Sequence, residues 1–440
     1  MISILVLLLT SLTSTAMAGD LELPHEQYTL ENGLTVILHE DHDLPLVQVN
    51  IWYHVGSKDE LKGRSGFAHL FEHLMFQGSE HMQGEYFQHL QAVGGRINGT
   101  TNGDRTNYFE GVPSEYLPLA LWLESDRMGW LTPVLTQEKL DNQRLVVKNE
   151  RRQSYENRPY GSSWMTLMDA VYPTDHPYEH TTIGSHEDLE AATLDEVKAF
   201  FKTWYLPNNA TLVIAGDFDP DTAKALVEQY FGEIPSGPEP EPRQDEPFTL
   251  SETQVIRQEE AGVPFQKVWI AWPSPPLYAE GDADLDLLSS VLTSGKDSRL
   301  NRVLVYEKQI AKSISASQVS RSLTGMYLIQ ATAAEGHTTD ELVAEIDAIL
   351  GELAEQGPTE DEVSIGVTNW EARFIRGLGS LAARANQLNS YFFHTGDPDY
   401  VQEDLNRYLA VTRSSIQDVT TTIANGNRVE LHIIPAKEDK

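Results

Sequence analysis

The stretch His69-Leu70-Phe71-Glu72-His73 places two imidazoles and a carboxylate at helical spacing. Residues three and four positions apart lie on one face of a helix, so His69 and His73 can bind one metal ion while Glu72 projects to the same side. The order H-x-x-E-H reverses the commoner H-E-x-x-H zinc motif. The apolar neighbours from residue 67 to residue 76 predict a buried helix, in which these polar groups are costly without a partner. A metal ion removes that cost, whereas an ordinary pair of packed histidines is the alternative for so short a motif.

A zinc site needs a third protein ligand and an open position for water. Residues 140–157 are rich in polar residues with helical periodicity, and Glu150 lies among them. The sequence contains no cysteine, which excludes disulfides and thiolate ligands. A zinc site in this chain is therefore built from imidazoles and carboxylates.

These segments resemble the pitrilysin/insulinase family of zinc metallopeptidases, which includes the mitochondrial processing peptidase. The resemblance spans essentially the whole mature chain. It rests on the motif at residues 69–73, on residues 94–101 followed by Asp104, Thr106 and Tyr108, on residues 146–150 and on residues 176–178.

The resemblance implies one Zn²⁺ ion per chain, with His69, His73 and Glu150 as its ligands and Glu72 as the general base. One departure from the family pattern is Gln143, which stands where a second Glu often supports the site. Two helical turns put Gln143 and Glu150 on one face of a helix. A neutral amide can donate and accept hydrogen bonds there but adds no negative charge.

Residues 97–109 alternate between polar and apolar side chains with Gly and Asn breaks, which predicts a hairpin. In the resembled family this region forms an edge strand beside the zinc, and the substrate adds to it as an extra strand. Backbone hydrogen bonds of this kind bind any extended peptide. Asn98, Gly99 and Thr100 are the candidate substrate-binding residues, and an ordinary hairpin is the alternative.

The sequence predicts two α+β domains of similar plan. Strands are predicted at residues 34–38, 47–53, 210–217, 253–257, 266–272 and 428–434, with helices at residues 194–204, 283–292 and 413–423. In both halves the order is strands, helices and a final strand without strict alternation, which favours helices packed on a largely antiparallel sheet. The resembled family is also built from two homologous domains of this kind.

The predicted domain division falls at a segment dense in Pro and acidic residues, 234–249, which predicts an extended, semi-rigid linker. Residues 19–233 form the predicted zinc-binding peptidase domain. Residues 250–440 form the predicted homologous domain without zinc.

The first residues have the pattern of a signal peptide. An uncharged apolar run at residues 2–12 precedes Ala16-Met17-Ala18, which predicts a signal peptide at residues 1–18 with cleavage after Ala18. The run is too short to span a bilayer comfortably, and no later stretch is apolar enough to do so. We therefore expect a periplasmic or secreted protein with no membrane partner.

The chain carries 66 acidic and 32 basic residues, a formal net charge of −34. Such a charge repels phosphates and argues against a nucleic-acid partner. It can steer basic peptides toward the protein, but high solubility is the simpler interpretation of the same charge.

Three further histidines, His176, His180 and His186, suggest a second metal site. Pro173 and Pro177 interrupt this segment, so no helical face presents the histidines together. Structural or surface roles are the favoured interpretation.

The resemblance also implies a partner. In the family, a second half contributes an Arg and a Tyr that grip the substrate. In this chain Val305 stands where the Arg is expected and Lys312 where the Tyr is expected, although Arg299 and Tyr306 lie nearby. Neither Val305 nor Lys312 can replace those groups. We therefore expect a heterodimer with a similar two-domain chain that carries the pair, with a homodimer as the alternative.

The predicted function is that of a zinc-dependent metalloendopeptidase, which hydrolyses extended or unfolded peptides with Glu72 activating the water at the metal. Two alternatives remain. One is a catalytically silent binding or assembly subunit of the same fold. The other is a periplasmic zinc-binding protein.

Overall fold

The structure is a computed structural model that describes residues 21–84, 86–241, 243 and 248–436. The predicted signal peptide, residues 1–18, lies outside the described residues. No helix within those ranges combines the length and the apolar composition needed to cross a lipid bilayer.

The strands of the described residues form one six-stranded and one five-stranded sheet. The first sheet contains β1 (Glu26–Thr29), β2 (Thr35–Glu40), β3 (Leu46–Tyr53), β4 (Arg96–Thr101), β5 (Thr106–Pro113) and β6 (Ala210–Gly216). The second sheet contains β7 (Gln254–Glu260), β8 (Lys267–Ser274), β9 (Ala311–Val319), β10 (Gly325–Ala333) and β11 (Val429–Pro435).

The helices connect the strands and cover the sheets. Those of the first half are α1 (Phe67–Leu74), α2 (Tyr86–Gln91), α3 (Leu117–Trp130), α4 (Gln137–Arg151), α5 (Ser163–Val171), α6 (His186–Ala191), α7 (Leu194–Trp204) and α8 (Pro220–Phe231). Those of the second half are α9 (Asp282–Thr293), α10 (Thr339–Gln356), α11 (Glu360–Gly377), α12 (Leu381–Thr395), α13 (Val401–Leu409) and α14 (Arg413–Asn425).

Both sheets are largely antiparallel, which confirms the predicted α+β class. The first sheet has the order β1-β2-β6-β3-β5-β4, and the second has the order β7-β11-β8-β10-β9. Each contains one parallel pair, β2 with β6 and β7 with β11. In each sheet, therefore, the last strand of its half inserts between two earlier strands, which supports the predicted similarity of plan.

The predicted elements correspond closely to the observed ones. The helix predicted at residues 194–204 is α7, whose first turn is fixed by reciprocal hydrogen bonds between Thr193 and Glu196. The hairpin predicted at residues 97–109 is formed by β4 and β5. The other predicted elements overlap β2, β3, β6, β7, β8, α9, α14 and β11.

The described residues of the predicted linker, 234–249, form neither helix nor strand. They lie along the first half: the Gly237 backbone N–H donates to Asn208 Oδ1 over 2.8 Å, and the Ser236 hydroxyl donates to the Asn32 carbonyl. The division into domains at this segment remains a prediction, although the two sheets lie on either side of it in the chain.

The two halves exchange helices. Helix α5 of the first half packs on the second sheet, where Leu167 joins a buried cluster with Leu328 and Leu431. Helix α12 of the second half packs on the first sheet, where Leu388 joins a buried cluster with Val213. Each sheet is therefore covered on one face by its own half and on the other by a helix of the opposite half, an arrangement that the sequence patterns did not predict.

Truncating an exchanged helix should destabilise the protein. Leu388 is fully buried in α12, so Leu388→Ala should lower the free energy of unfolding by about 2–5 kcal/mol. Denaturant titration followed by circular dichroism measures this change. The control is Leu409→Ala, since Leu409 is 47% exposed and its loss should change stability by only about 0.5 kcal/mol. Equal stability of the two variants would contradict the exchanged packing.

Candidate metal centre

Helix α1 has one apolar face and one polar face. Phe67, Leu70, Phe71 and Leu74 are buried in the core of the first half. The Phe71 ring stacks on Tyr205 with 4.8 Å between ring centroids. The opposite face of the helix carries the histidines and the glutamate of the motif. Burial of the apolar face therefore fixes the direction in which the polar side chains point.

The start of α1 is held by a buried carboxylate. Glu60 Oε2 accepts a hydrogen bond of 2.8 Å from the Gly66 backbone N–H, and Oε1 accepts one of 2.7 Å from the Ala68 N–H. These donors belong to the first turn, where backbone N–H groups have no partner within the helix. Burial raises the pKa of Glu60 well above its ordinary value, while the two backbone hydrogen bonds oppose that rise.

The structure brings His69, His73 and Glu150 together. Glu150 Oε2 lies 3.7 Å from His69 Nε2 and 3.4 Å from His73 Nε2. One ligand atom from each of the three residues lies within 4.8 Å of the other two, and no other such group of three occurs among the described residues. Helix α4 supplies Glu150 and packs beside α1, so two helices form the candidate centre.

The charges of these groups suit metal binding. Burial, together with the neighbouring His73, lowers the pKa of His69 to about 4. The adjacent His73 holds the pKa of Glu150 below its ordinary value against the effect of partial burial. The lowered pKa values favour a neutral His69 imidazole and an ionised Glu150 carboxylate, the forms in which these side chains bind a metal ion.

Glu72 lies beside this trio without belonging to it. Its Oε2 accepts a hydrogen bond of 2.7 Å from Thr101 Oγ1, which fixes the carboxylate next to the end of β4. Burial raises the pKa of Glu72, and the hydrogen bond from Thr101 opposes this rise. A carboxylate with a raised pKa is suited to accept and return a proton.

Gln143 lies on α4, two turns before Glu150, and is buried. Its proposed supporting role in the site remains a prediction.

His69 Nδ1 is buried and makes no hydrogen bond within the described part of the chain.

Strand β4 carries the candidate substrate-binding residues and is the edge strand of the first sheet. The turn after it is closed by a hydrogen bond of 3.0 Å from Asn102 N to the Arg105 carbonyl. In an antiparallel pair, every second residue of a strand directs its backbone N–H and C=O groups to the partner strand, and the residues between direct theirs away from it. Counting back from Asn102, the backbone groups of Asn98 and Thr100 face β5, while those of Gly99 and Thr101 face the open edge. Of the three candidates, Gly99 is therefore the one whose backbone can pair with an added strand.

Gly99 also sits against aromatic rings. A Cβ atom at this position would lie 3.0 Å from the Tyr108 ring and 3.1 Å from the Phe76 ring. The absence of a side chain lets β4 approach those rings closely, which keeps the edge strand near α1.

Three residues of the site were not singled out from the sequence. They are Thr101, which binds Glu72; Glu60, which holds α1; and Arg105, which donates to the Thr100 carbonyl over 2.8 Å. Thr101 lies within the stretch that carries the family resemblance. No pattern in the sequence connects Glu60 to the first turn of α1.

The histidines at positions 176, 180 and 186 have separate contacts. The His176 ring stacks on Tyr172 with 4.9 Å between centroids. His180 Nδ1 lies 3.7 Å from the Glu60 carboxylate, and His186 Nε2 lies 2.8 Å from the Glu156 carboxylate. These contacts agree with the structural and surface roles favoured from the sequence.

The structure places no Arg/Tyr pair at the two positions predicted from the resemblance. Val305 packs against the core of the second half, and Lys312 Nζ lies 3.6 Å from the centre of the Phe265 ring. The nearby Arg299 donates hydrogen bonds of 2.8 Å to both carboxylate oxygens of Glu362. This pairing engages the guanidinium of Arg299 within the chain.

Two family models match the chain. The model described as insulinase (peptidase family M16) matches residues 35–181, and the model described as the peptidase M16 inactive domain matches residues 191–369. The first match contains β4 and both histidines of the motif. The second contains no part of the candidate metal centre.

Curated relatives extend over most of the chain. Zinc protease PqqE of Helicobacter pylori is 29% identical over 411 residues, which cover 90% of each chain. The mitochondrial-processing peptidase subunit beta of Blastocladiella emersonii is 26% identical over 232 residues, which cover 52% of this chain and 49% of that protein.

Solved structures share the fold. A protease from Helicobacter pylori superposes with a TM-score of 0.87 at 27% sequence identity. The match covers 94% of this chain and 100% of that one. The periplasmic protease PqqL from Escherichia coli superposes with a TM-score of 0.78 at 16% identity, covering 95% of this chain but 48% of that one. The fold of this chain thus corresponds to about half of PqqL. With both halves matched by M16 models and the M16 fold throughout, this chain belongs to the insulinase family of peptidases, family M16.

Proposed function

We propose that this protein is a zinc-dependent endopeptidase that cleaves extended or unfolded peptides. The observation that carries the proposal is the convergence of His69, His73 and Glu150 beside the Glu72 carboxylate, next to the open edge of β4. A storage site for zinc needs neither a neighbouring base nor an adjacent edge strand. The names of the relatives support protease function at the level of the family.

The residues present fit a single zinc ion. Two imidazole nitrogens and one carboxylate oxygen are the ligand set of several catalytic zinc sites, in which a further position stays open. His69, His73 and Glu150 would hold the ion. Zinc bound there acts as a Lewis acid, which makes water more acidic and polarises a carbonyl group.

The proposed mechanism assigns proton transfer to Glu72. Its carboxylate takes the proton of the attacking water and returns it to the amine of the leaving peptide. Thr101 orients the carboxylate by donating to Oε2. The raised pKa of Glu72, caused by burial, makes the return of the proton easier.

The proposed substrate geometry follows from β4. An extended peptide that pairs with the open edge at Gly99 and Thr101 passes directly beside Glu72, because Thr101 contacts that carboxylate. Pairing through the backbone makes binding largely independent of the peptide's sequence. Unfolded segments satisfy this requirement, whereas a folded substrate has its backbone groups already paired.

We also propose that the chain works with a second two-domain subunit carrying the Arg/Tyr pair. The engagement of Arg299 with Glu362 and the packing of Val305 leave the predicted positions without these groups. The correspondence of this chain to half of PqqL supports a paired arrangement. A homodimer remains the alternative.

The proposed location is the periplasm or the exterior of the cell. The predicted signal peptide at residues 1–18 supports export of the mature chain. PqqL of Escherichia coli, a structural neighbour, is a periplasmic protease by name.

Zinc content tests the ligand set. Purified mature protein should contain about one zinc ion per chain, and His73→Ala or Glu150→Ala should remove most of it, because three protein ligands are needed to hold the ion. Elemental analysis measures the ratio of metal to protein. The control is His89→Ala, since His89 is exposed on α2, away from the trio. Full zinc retention in both ligand variants would refute the assignment.

Replacement of Glu72 tests the base. Glu72→Gln should retain zinc and fold, because the amide keeps the shape of the side chain, but peptide cleavage should slow by about 10²–10⁴-fold. A fluorogenic peptide assay with and without a chelator measures the rate. Near wild-type turnover would eliminate the proposed role, and loss of zinc would make Glu72 a ligand. Absence of cleavage in the wild-type protein, alone and with its partner, would favour a silent subunit or a zinc-binding protein.

Reconstitution tests the partner. The chain alone should cleave peptides slowly. Adding a two-domain chain that lacks H-x-x-E-H and carries the Arg/Tyr pair should raise the cleavage rate by roughly 10²-fold, because a misplaced substrate lowers the rate by about that factor. Size-exclusion chromatography with light scattering should detect the heterodimer. A homodimer of this chain with full, chelator-sensitive activity would rule the heterodimer out.

A further inference from the structure

We propose that a cavity beside β4 is a specificity subsite, which receives a large apolar side chain of the peptide bound along that strand. The inference rests on the proposed function, since it concerns the same peptide. The cavity has a volume of about 860 Å³ and is lined by residues of β3, β4 and β5 and by the start of α12. Four other cavities among the described residues are smaller, with volumes of about 310 to 600 Å³.

The cavity and the metal centre lie on opposite faces of the first sheet. Thr101 and Asn98 are an odd number of positions apart on β4, so their side chains point to opposite faces. Thr101 contacts Glu72, whereas Asn98 lines the cavity. Helix α12, which also lines the cavity, covers the face of the sheet that α1 does not.

A peptide paired with β4 presents side chains to both faces in alternation. The residues opposite Gly99 and Thr101 face α1, and the residue opposite Asn98 faces the cavity. The peptide side chain that enters the cavity therefore belongs to a residue roughly two to three positions away from the peptide bond that lies beside Glu72. No rearrangement of the backbone is needed to place it there.

The lining favours an apolar occupant. Leu44 and Leu46 line the cavity and are 56% and 43% exposed, although both are large apolar residues. Phe109 and Leu381 complete an apolar surface around them. Large apolar side chains that line one cavity and stay partly exposed are typical of a binding site.

Gly111 and Gln48 form part of the cavity floor on neighbouring strands. Gly111 is paired with Arg96 on one side and with Gln48 on the other. A Cβ atom at Gly111 would lie 2.9 Å from Gln48 Oε1. Gly111 itself contributes no side chain to the lining, and the amide end of the Gln48 side chain lies over this position.

The charged residues of the lining compensate each other. Asp41 forms an ion pair with Arg384, and the other charged lining residues are Asp43 and Arg96. Two acidic and two basic side chains leave the cavity with no formal net charge, in contrast to the strongly acidic chain as a whole. A charged substrate side chain thus gains no net attraction here, whereas an apolar one gains burial.

Peptide binding to the full-length, zinc-loaded Glu72→Gln protein tests the subsite without cleavage. The probes are fluorescein-labelled peptides composed of Thr, Ser and Gln. In one series a single Leu is moved along the peptide one position at a time, and in the matched series Ser replaces that Leu. At one position Leu should bind about tenfold more tightly than Ser. The double substitution Leu44→Ser/Leu46→Thr should abolish this ratio, whereas Leu409→Ser, at a site 47% exposed elsewhere, should preserve it. Circular dichroism and zinc content confirm that the variants remain folded and loaded.

Cleavage of a mixed peptide library by the protein with an intact Glu72 separates this inference from the proposed function. Cut sites should be enriched in Leu, Phe and Met at the same position, and the double substitution should remove the enrichment. Cleavage with the same preferences in the wild type and the double variant would overturn the subsite and leave the function standing. A Leu preference in binding without any cleavage, either by the chain alone or with its partner, would keep the subsite and overturn the function. Equal binding of the Leu and Ser peptides at every position would overturn the subsite.

Discussion

The candidate metal centre depends on the hydrogen bonds between the buried Glu60 carboxylate and the start of α1. This carboxylate accepts two backbone hydrogen bonds from the first turn of α1, and His180 approaches it from a separate segment. Helix α1 is two turns long, and isolated helices of that length do not persist in water. The carboxylate replaces the missing partners of the first turn, while the apolar face of α1 packs into the core. Together these contacts hold α1, and with it His69 and His73, in a fixed position.

The site then joins three elements that come from different parts of the chain. Helix α1 supplies His69 and His73, α4 supplies Glu150, and β4 supplies Thr101, whose hydroxyl orients Glu72. Because Glu72 and the open edge of β4 share this contact, the edge proposed to pair with a peptide is tied to the carboxylate proposed to take the proton. Gly99 keeps β4 close by resting on aromatic rings.

Sequence reasoning predicted the parts of this arrangement that follow from local spacing. The pattern of His69, Glu72 and His73 indicated one helical face, and the alternation in residues 97–109 indicated the hairpin. Glu150 required the resemblance to a family, because spacing alone cannot bring two helices together. Glu60 and the exchange of α5 and α12 were missed, since both depend on contacts between segments distant in the chain. Buried polar partners of this kind leave no periodic signal in a single sequence.

The exchange of helices gives the chain the connectivity of a domain-swapped dimer whose two members are covalently joined. Two separate copies of one half would have to meet in solution before either sheet was covered. Joining them through the segment at residues 234–249 replaces that encounter with an intramolecular one, whose effective concentration depends on the length and stiffness of the connection. The completeness of each sheet then no longer depends on how much protein a cell makes. A chain at low abundance closes both sheets as readily as one at high abundance.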